Sequence, residues 1–329
     1  MKTAPHITCV GEALVDFVAT SNGHGLADAQ GFLKCAGGAT ANLAVGLAKL
    51  GMRVAFAGKV GDDAFGRYLE RELRRWGVGT GQVSFDAEHK TRLAFVSLDA
   101  SGERDFEFWE HTPADTRLEA KDLQDRKLTA SAIVHIGSFL LISEPSRSAA
   151  LGVASMLRKR GVTVSFDPNL RLSLWRSGTE AREISLKMVR RAEILRLNED
   201  EALFLAGTKT LAAAVKRLRS MGPRLIAVTK GSAGCSVYGE AGSLSLPGYR
   251  VRVVDTTGCG DGFLAGFLAG VLRAGGDSGR LSIGTLEKIG RCANAVGAIT
   301  AMRRGAIAAM PTAGELEKFL KRHKQSSSL

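Results

Sequence analysis

The chain has 329 residues, long enough to bury a substantial core and too long for a mini-protein, and with 45% of them hydrophobic and 24% charged it is too apolar for a disordered chain. A formal net charge of +12 raises the question of nucleic acid or an acidic membrane. The basic residues are dispersed, however, and the densest groups, "GRYLERELRRWG" and "KFLKRHKQ", lie on patterns with Glu and apolar residues at helical spacing, so they read as solvated helix faces and neither partner is expected.

At the N-terminus, Glu12 and Asp16 interrupt the apolar segment after "HITCV", and no run reaches the ~18 apolar residues of a membrane span, so a cytoplasmic protein is expected. The cysteines Cys9, Cys35, Cys235, Cys259 and Cys292 form no CxxC pair, which fits a reducing compartment and no zinc site. "GEALVD" puts Asp16 just beyond the first strand, where it either accepts hydrogen bonds from hydroxyl groups or caps a turn. "CAGGATANLAVGLAKLG" then places Gly37 and Gly38 before a helix with Asn42 in its first turn. Small residues there let a polyol approach the backbone while Asn42 bonds its hydroxyls, although close helix packing uses the same residues.

Residues 12–35 contain no strong helix, and residues 83–110 read as strands: "RLAFVSL", a turn "DASGE", and "RDFEFW", whose Phe106 and Phe108 alternate with Asp105 and Glu107. The two segments are expected to combine into a small β lid on one α/β body.

From about residue 130 short β-rich runs alternate with helical patterns, the signature of a parallel sheet covered by helices. Ligands of such sheets sit at the carboxyl ends of the strands. "VTVSFD" runs into Asn169 and Arg171, "EILRLN" ends on Asn198 with Glu201 three residues on, and "LIAVTKG" ends on Thr229, Lys230 and Gly231. Each has a structural alternative as helix cap, solvated helix residue or turn, but they share one edge.

In "DTTGCGDGFLAGFLAG", a strand "VRVVD" is expected to lead through a glycine turn into a buried helix from Gly262 onward. Unpaired N–H groups and the helix dipole make such a terminus an anion site. Asp261 adds negative charge there, which makes sense if the reaction is phosphoryl transfer to an alcohol. Backbone donors at Gly258, Cys259 and Gly260 would hold the transferred charge, and Asp261 would take the proton of the accepting hydroxyl. A capping Asp is the structural alternative. No GxxxxGK[ST] occurs, and the GxGxG spacing is not a dinucleotide fingerprint. A Cys259 thiolate is a further, weaker nucleophile candidate, with no histidine nearby in sequence.

Together "GGATANLAVGLAKLG" and "DTTGCGDGFLAG" resemble the two signature segments of the ribokinase-like, or pfkB, carbohydrate kinases. The likeness extends through "FDPNLRLSLW", "LRLNEDEALFLAG", "VTKGSAGCSVY" and "CANAVGAITAMRRGAIAAMPT", and is nearest to the fructokinases. It implies one kinase domain over residues 1–329: a three-layer α/β/α body with a central, mostly parallel sheet and a small β lid. It also implies ATP and Mg²⁺, and a homodimer built through the lids. Carried over by motif, Asp261 is the base, Gly258 to Gly260 form the anion hole, and Asn198 with Glu201 organises Mg²⁺ and phosphate indirectly. Thr229, Lys230, Gly231 and Asn294 fall on the nucleotide side; Asp16, Gly37, Gly38, Asn42, Asn169 and Arg171 fall on the sugar side. Cys259 departs from the alanine usual in the family. Some relatives hold a monovalent cation, such as K⁺, near the position of Asp255. Asp16 and Asn42 favour a neutral sugar, with fructose first. A 2-keto-3-deoxy sugar acid held by Arg171, a nucleoside, and a catalytically silent sugar-binding regulator are the alternatives.

Overall fold

The computed structural model describes residues 6–20, 25–98, 104–109 and 112–325. The chain opens with β1 (Ile7–Val10), β2 (Leu14–Ala19), β3 (Phe32–Gly37), α1 (Ala39–Lys49), β4 (Val54–Gly61), α2 (Ala64–Arg75) and β5 (Gly79–Asp86). It continues through β6 (Leu93–Leu98), β7 (Arg104–Trp109), α3 (Asp125–Leu128), β8 (Ile133–Gly137), α4 (Ser146–Lys159), β9 (Thr163–Asp167) and α5 (Gly178–Val189). The last part holds β10 (Ile194–Asn198), α6 (Glu199–Ala206), α7 (Leu211–Arg219), β11 (Leu225–Thr229), β12 (Cys235–Gly239), β13 (Gly242–Leu246), α8 (Cys259–Arg273), α9 (Ile283–Ala301) and α10 (Ala313–Gln325).

Nine strands form one sheet in the order β13-β12-β11-β10-β9-β8-β1-β4-β5, parallel from β11 to β5 and antiparallel at the β12 and β13 edge. The strands between the edges are buried on both faces, which is why they read as near-continuous apolar runs. Strand alternation divides their side chains between two cores. Ile194 of β10 joins Leu43 and Leu47 of α1, Phe263 and Phe267 of α8 and Val296 of α9. Its neighbours Leu195 and Leu197 join Leu157 of α4, Met188 of α5 and Leu218 of α7. The result is the expected three-layer α/β/α body.

The glycines of α8 explain themselves here. Gly262, Gly266 and Gly270 recur at helical i, i+4 spacing against α9, and a Cβ on Gly266 would lie 2.9 Å from the Ala293 Cα. They allow the two helices to pack closely.

A second sheet has the order β3-β2-β6-β7. Phe17 of β2 stacks on Phe95 of β6 at 5.2 Å and meets Phe65 of α2 edge-on at 5.7 Å, so aromatic contacts tie this sheet to the body. Residues 83–86 belong to β5 of the large sheet, where Val83 to Asp86 pair with Gly58 to Gly61; the second-sheet segment therefore begins at Leu93. The turn "DASGE" lies outside the described residues.

The expected strand "VRVVD" is a correction. Residues 251–255 adopt no regular structure, Val253 and Val254 are exposed, and the N–H groups of Val254 and Asp255 both donate to the Ala301 carbonyl at the end of α9. Its alternating pattern has no strand to pair with. The helix that follows starts at Cys259, earlier than the apolar run beginning at Gly262.

Candidate active site

A cavity of about 620 Å³ opens between the small sheet and the carboxyl ends of the large one, a size suited to a small-molecule substrate. Leu14, Ala94 and Phe108 of the small sheet, with Phe139 beyond β8, form an apolar wall. The N-termini of α1 and α8 and the ends of β9 and β10 supply its polar surface.

The terminus of α8 opens onto this cavity. Gly258 is the N-cap at φ 72°, and no side chain caps the helix. The left-handed backbone favours glycine, and a Cβ there would lie 2.8 Å from the Ala306 Cβ. Gly258, Gly260 and Asp261 line the cavity. Asp261 is the third residue of the helix and does not cap it; instead its Oδ2 accepts a 2.8 Å hydrogen bond from Asn42 Nδ2 in the first turn of α1. Burial pushes the Asp261 carboxyl above the usual carboxylate range, opposed by the Asn42 hydrogen bond and by the charges of Arg196 and Arg171. Cys259 Sγ turns toward the Asp255 carbonyl at 3.9 Å and is not part of the cavity wall.

Asp16 of β2 also faces the cavity. Gly37 makes room for it, because a Cβ there would lie 2.1 Å from Asp16 Oδ2. Gly38, at φ 95°, caps α1, and any side chain would crowd the Glu12 carbonyl at 2.9 Å. Sequence reasoning did not single out Glu12 as part of this region. Its carboxyl accepts hydrogen bonds from Thr40 N–H at 3.0 Å and Thr40 Oγ1 at 2.9 Å, holding the first turn of α1 to the segment between β1 and β2. Burial pushes its pKa up to about 7.

Across the cavity, Asn198 caps α6, and Glu201 answers it: Asn198 Oδ1 accepts from the Glu201 N–H at 2.8 Å, and Glu201 Oε2 accepts from the Asn198 N–H at 2.9 Å. The capping alternative thus holds, while both residues still line the cavity. Glu201 Oε1 also accepts from Leu170 N–H at 2.8 Å, which fixes the loop carrying Asn169 and Arg171. Asn169 takes a positive φ of 36°, with its N–H on Asp167 Oδ1. Arg171 is exposed on the cavity rim, with Nη1 on the Leu170 carbonyl. Burial raises the Glu201 carboxyl, as does the neighbouring Asp167 charge, with Arg196 opposing.

Two further residues here were missed. Arg196, inside β10, is buried and donates from Nη1 to Asp167 Oδ2 and from Nη2 to Thr229 Oγ1, both at 2.9 Å. The signal was available: "EILRLN" carries one charge inside an apolar strand, and "VTVSFD" ends on a carboxylate. Thr229 thus touches the cavity only through Arg196. Lys230 and Gly231 continue from it outside the cavity wall.

Asn294 is buried and donates to the Pro247 carbonyl at 3.0 Å, away from the cavity. Asp255 accepts from Thr257 N–H and Oγ1 and from Gly305 N–H, so it ties the glycine turn to the loop after α9. Among the described residues no group of three His, Cys, Asp or Glu side chains is arranged to hold a metal ion by itself.

Comparison with known proteins gives the family of the chain. The profile of the pfkB family carbohydrate kinase matches residues 4–313. Fructokinase-1 of Oryza sativa subsp. japonica is 41% identical over 315 residues, covering 95% of this chain and 97% of that protein. The structure of a Xylella fastidiosa fructokinase with bound ATP superposes with a TM-score of 0.89 at 31% identity, covering 97% of this chain and 98% of the other. A Vibrio cholerae O395 fructokinase double mutant bound to fructose, ADP and a potassium ion does so at 0.85 and 31% identity, covering 97% and 100%.

Proposed function

The chain belongs to the pfkB family of carbohydrate kinases, and from that premise we propose that it is an ATP-dependent fructokinase in which Asp261 is the base. The observation that carries this reading is the uncapped terminus of α8, with the Asp261 carboxylate and the glycine turn facing one cavity. The sugar hydroxyl approaches Asp261 from the small-sheet side, oriented by Asp16 and Asn42. As its oxygen attacks the γ-phosphorus of ATP, the proton passes to Asp261, the bond to the ADP oxygen breaks, and the N–H groups of residues 258–260 hold the charge on the transferred phosphoryl group. The apolar wall of Leu14, Phe108 and Phe139 keeps water from competing as acceptor.

Thr229, Lys230, Gly231 and Asn294 belong to the nucleotide side of this scheme. The donor set near the turn suits Mg²⁺, which takes one or two carboxylates, substrate phosphates and several waters in place of an all-protein cage. Glu201, with each oxygen already accepting one backbone N–H, would hold it through water beside Asn198. Bound there, the metal would supply charge neutralisation on the phosphates. Asp255 is the candidate for a monovalent cation site beside the glycine turn.

We propose a cytoplasmic protein on the ground of its dispersed cysteines, which form no disulfide among the described residues. The small sheet exposes Leu33 and Trp109, 62% and 59% accessible, and we propose that two copies pair over it. The function is tested by ATP consumption with fructose, aldoses, 2-keto-3-deoxygluconate and nucleosides as acceptors. Fructose is expected to give the highest kcat/KM; preference for any other acceptor would overturn the assignment.

A further inference from the structure

Arg196 is built into the middle of the large sheet in a way that a purely structural ion pair does not require. On β10 it alternates with Leu195 and Leu197 and so projects to the face covered by α1 and α8. Its guanidinium spreads toward the flanking strands, to Asp167 at the end of β9 and Thr229 at the end of β11. It also lies against the first turn of α8: a Cβ on Gly260 would be 2.8 Å from Nη2, 3.1 Å from Nη1 and 3.2 Å from Cζ. The side chain lines the cavity, yet its Nε is buried with no hydrogen-bond partner among the described residues.

The charge balance gives this placement a meaning. Asp167, Glu201 and Asp261 all interact electrostatically with Arg196; Glu201 and Asp261 line the cavity, and without Arg196 their charge would oppose an incoming polyanion with less to offset it. A buried cation is costly unless compensated, and Asp167 compensates this one at 2.9 Å. One buried donor remains unsatisfied even with Asp167 in place, so the pairing does not use the guanidinium fully.

We propose that Arg196 is a positioning residue for phosphoryl transfer, whose guanidinium supplies the fixed positive charge beneath the anion-binding turn at Gly260 and beside Asp261. This rests on the reading of residues 258–261 as the anion hole and base. The charge acts through the turn, so it stabilises the phosphoryl group most when its charge is developing and contributes little to holding the sugar.

The experiment compares Arg196→Met, which keeps much of the stem and removes the charge, with Arg196→Lys, which keeps a charge. Kinetics with ATP and fructose and thermal melting are recorded for both. Arg196→Met is expected to lower kcat by about 10²-fold while KM for fructose changes by less than about threefold. Arg196→Lys should recover activity to within about tenfold of wild type. If Arg196→Met leaves an unpaired buried Asp167 that prevents folding, the double variant Asp167→Asn/Arg196→Met removes both charges and is measured instead. Near wild-type kcat in the folded charge-free variant would overturn the proposal, and so would a lysine variant as inactive as the methionine one. Failure of both charge-free variants to fold would assign Arg196 to stability and overturn it equally. Asp261→Asn assayed in parallel separates the two readings: an active Asp261→Asn sinks the base assignment, whereas an inactive one beside a fully active Arg196→Met sinks this proposal alone.

Discussion

Asn42 and Asp261, 219 positions apart, meet through a 2.8 Å hydrogen bond from Asn42 Nδ2 to Asp261 Oδ2 where the first turns of α1 and α8 converge. The bond joins a residue of the proposed sugar side to the proposed base, so Asn42 orients the carboxylate. It also favours the charged form of Asp261.

Asn42→Ala should therefore lower kcat/KM by about 10- to 100-fold, the scale of a hydrogen bond to a charged group. Losing the bond raises the Asp261 pKa, and the reaction needs the ionised carboxylate. The acidic limb of the kcat/KM profile should accordingly move to higher pH. A profile with an unmoved acidic limb would show that Asn42 does not act on the base.

Gly260→Val should abolish phosphoryl transfer, because its Cβ would lie 2.8 Å from Arg196 Nη2 and the branched side chain crowds the anion turn. Cys259→Ala should be almost silent, since the proposed anion hole uses backbone N–H groups and Sγ turns toward the Asp255 carbonyl at 3.9 Å, away from the cavity wall. Steady-state assays of the two purified variants check both statements. A large loss in the alanine variant would restore the thiol as a participant.

Arg171→Ala distinguishes the sugar classes. Arg171 is exposed on the cavity rim and its Nη1 holds only the Leu170 carbonyl, so a fructose enzyme should lose modest activity. An enzyme for a 2-keto-3-deoxy sugar acid would need the guanidinium as a partner for the carboxylate and would collapse. The measurement is kcat/KM for both acceptors in both proteins, and collapse confined to the acid, with the acid preferred by wild type, would contradict the fructose assignment.

Glu12 links pH to stability. Burial pushes its pKa from an ordinary 4.5 up to about 7, so between those values the folded state binds a proton that the unfolded state has released. Its contribution to stability is consequently present at low pH and lost as pH rises from about 4.5 to about 7. Melting of Glu12→Gln against wild type should show a difference that shifts in favour of the variant across this window and then levels off. A constant difference from pH 4.5 to 8 would refute the raised pKa.

The α/β body was legible because β8 to β11 and their helices carry distinct periodicities, and the glycine turn was legible because clustered glycines before an apolar run mark a helix start, which the structure has at Gly258. "VRVVD" misled because alternation reports only a half-exposed segment, and pairing depends on a neighbour that local sequence cannot supply. Arg196 escaped notice for the opposite reason. One charge in an apolar strand reads as a defect until the fold brings Asp167, Thr229 and Gly260 around it. Asn294 sits in a matching segment, and its Nδ2 donates to the Pro247 carbonyl, a contact 47 positions away that no local pattern encodes.

The central claim, that Asp261 accepts the proton of fructose as ATP phosphorylates it, is tested most directly by fructose-dependent ADP formation in wild type and Asp261→Asn at saturating substrates. The amide retains the shape of the carboxylate but cannot take the proton, so folding and binding should persist while kcat falls by ~10²-fold or more. Turnover near the wild-type value in the folded variant would contradict the account.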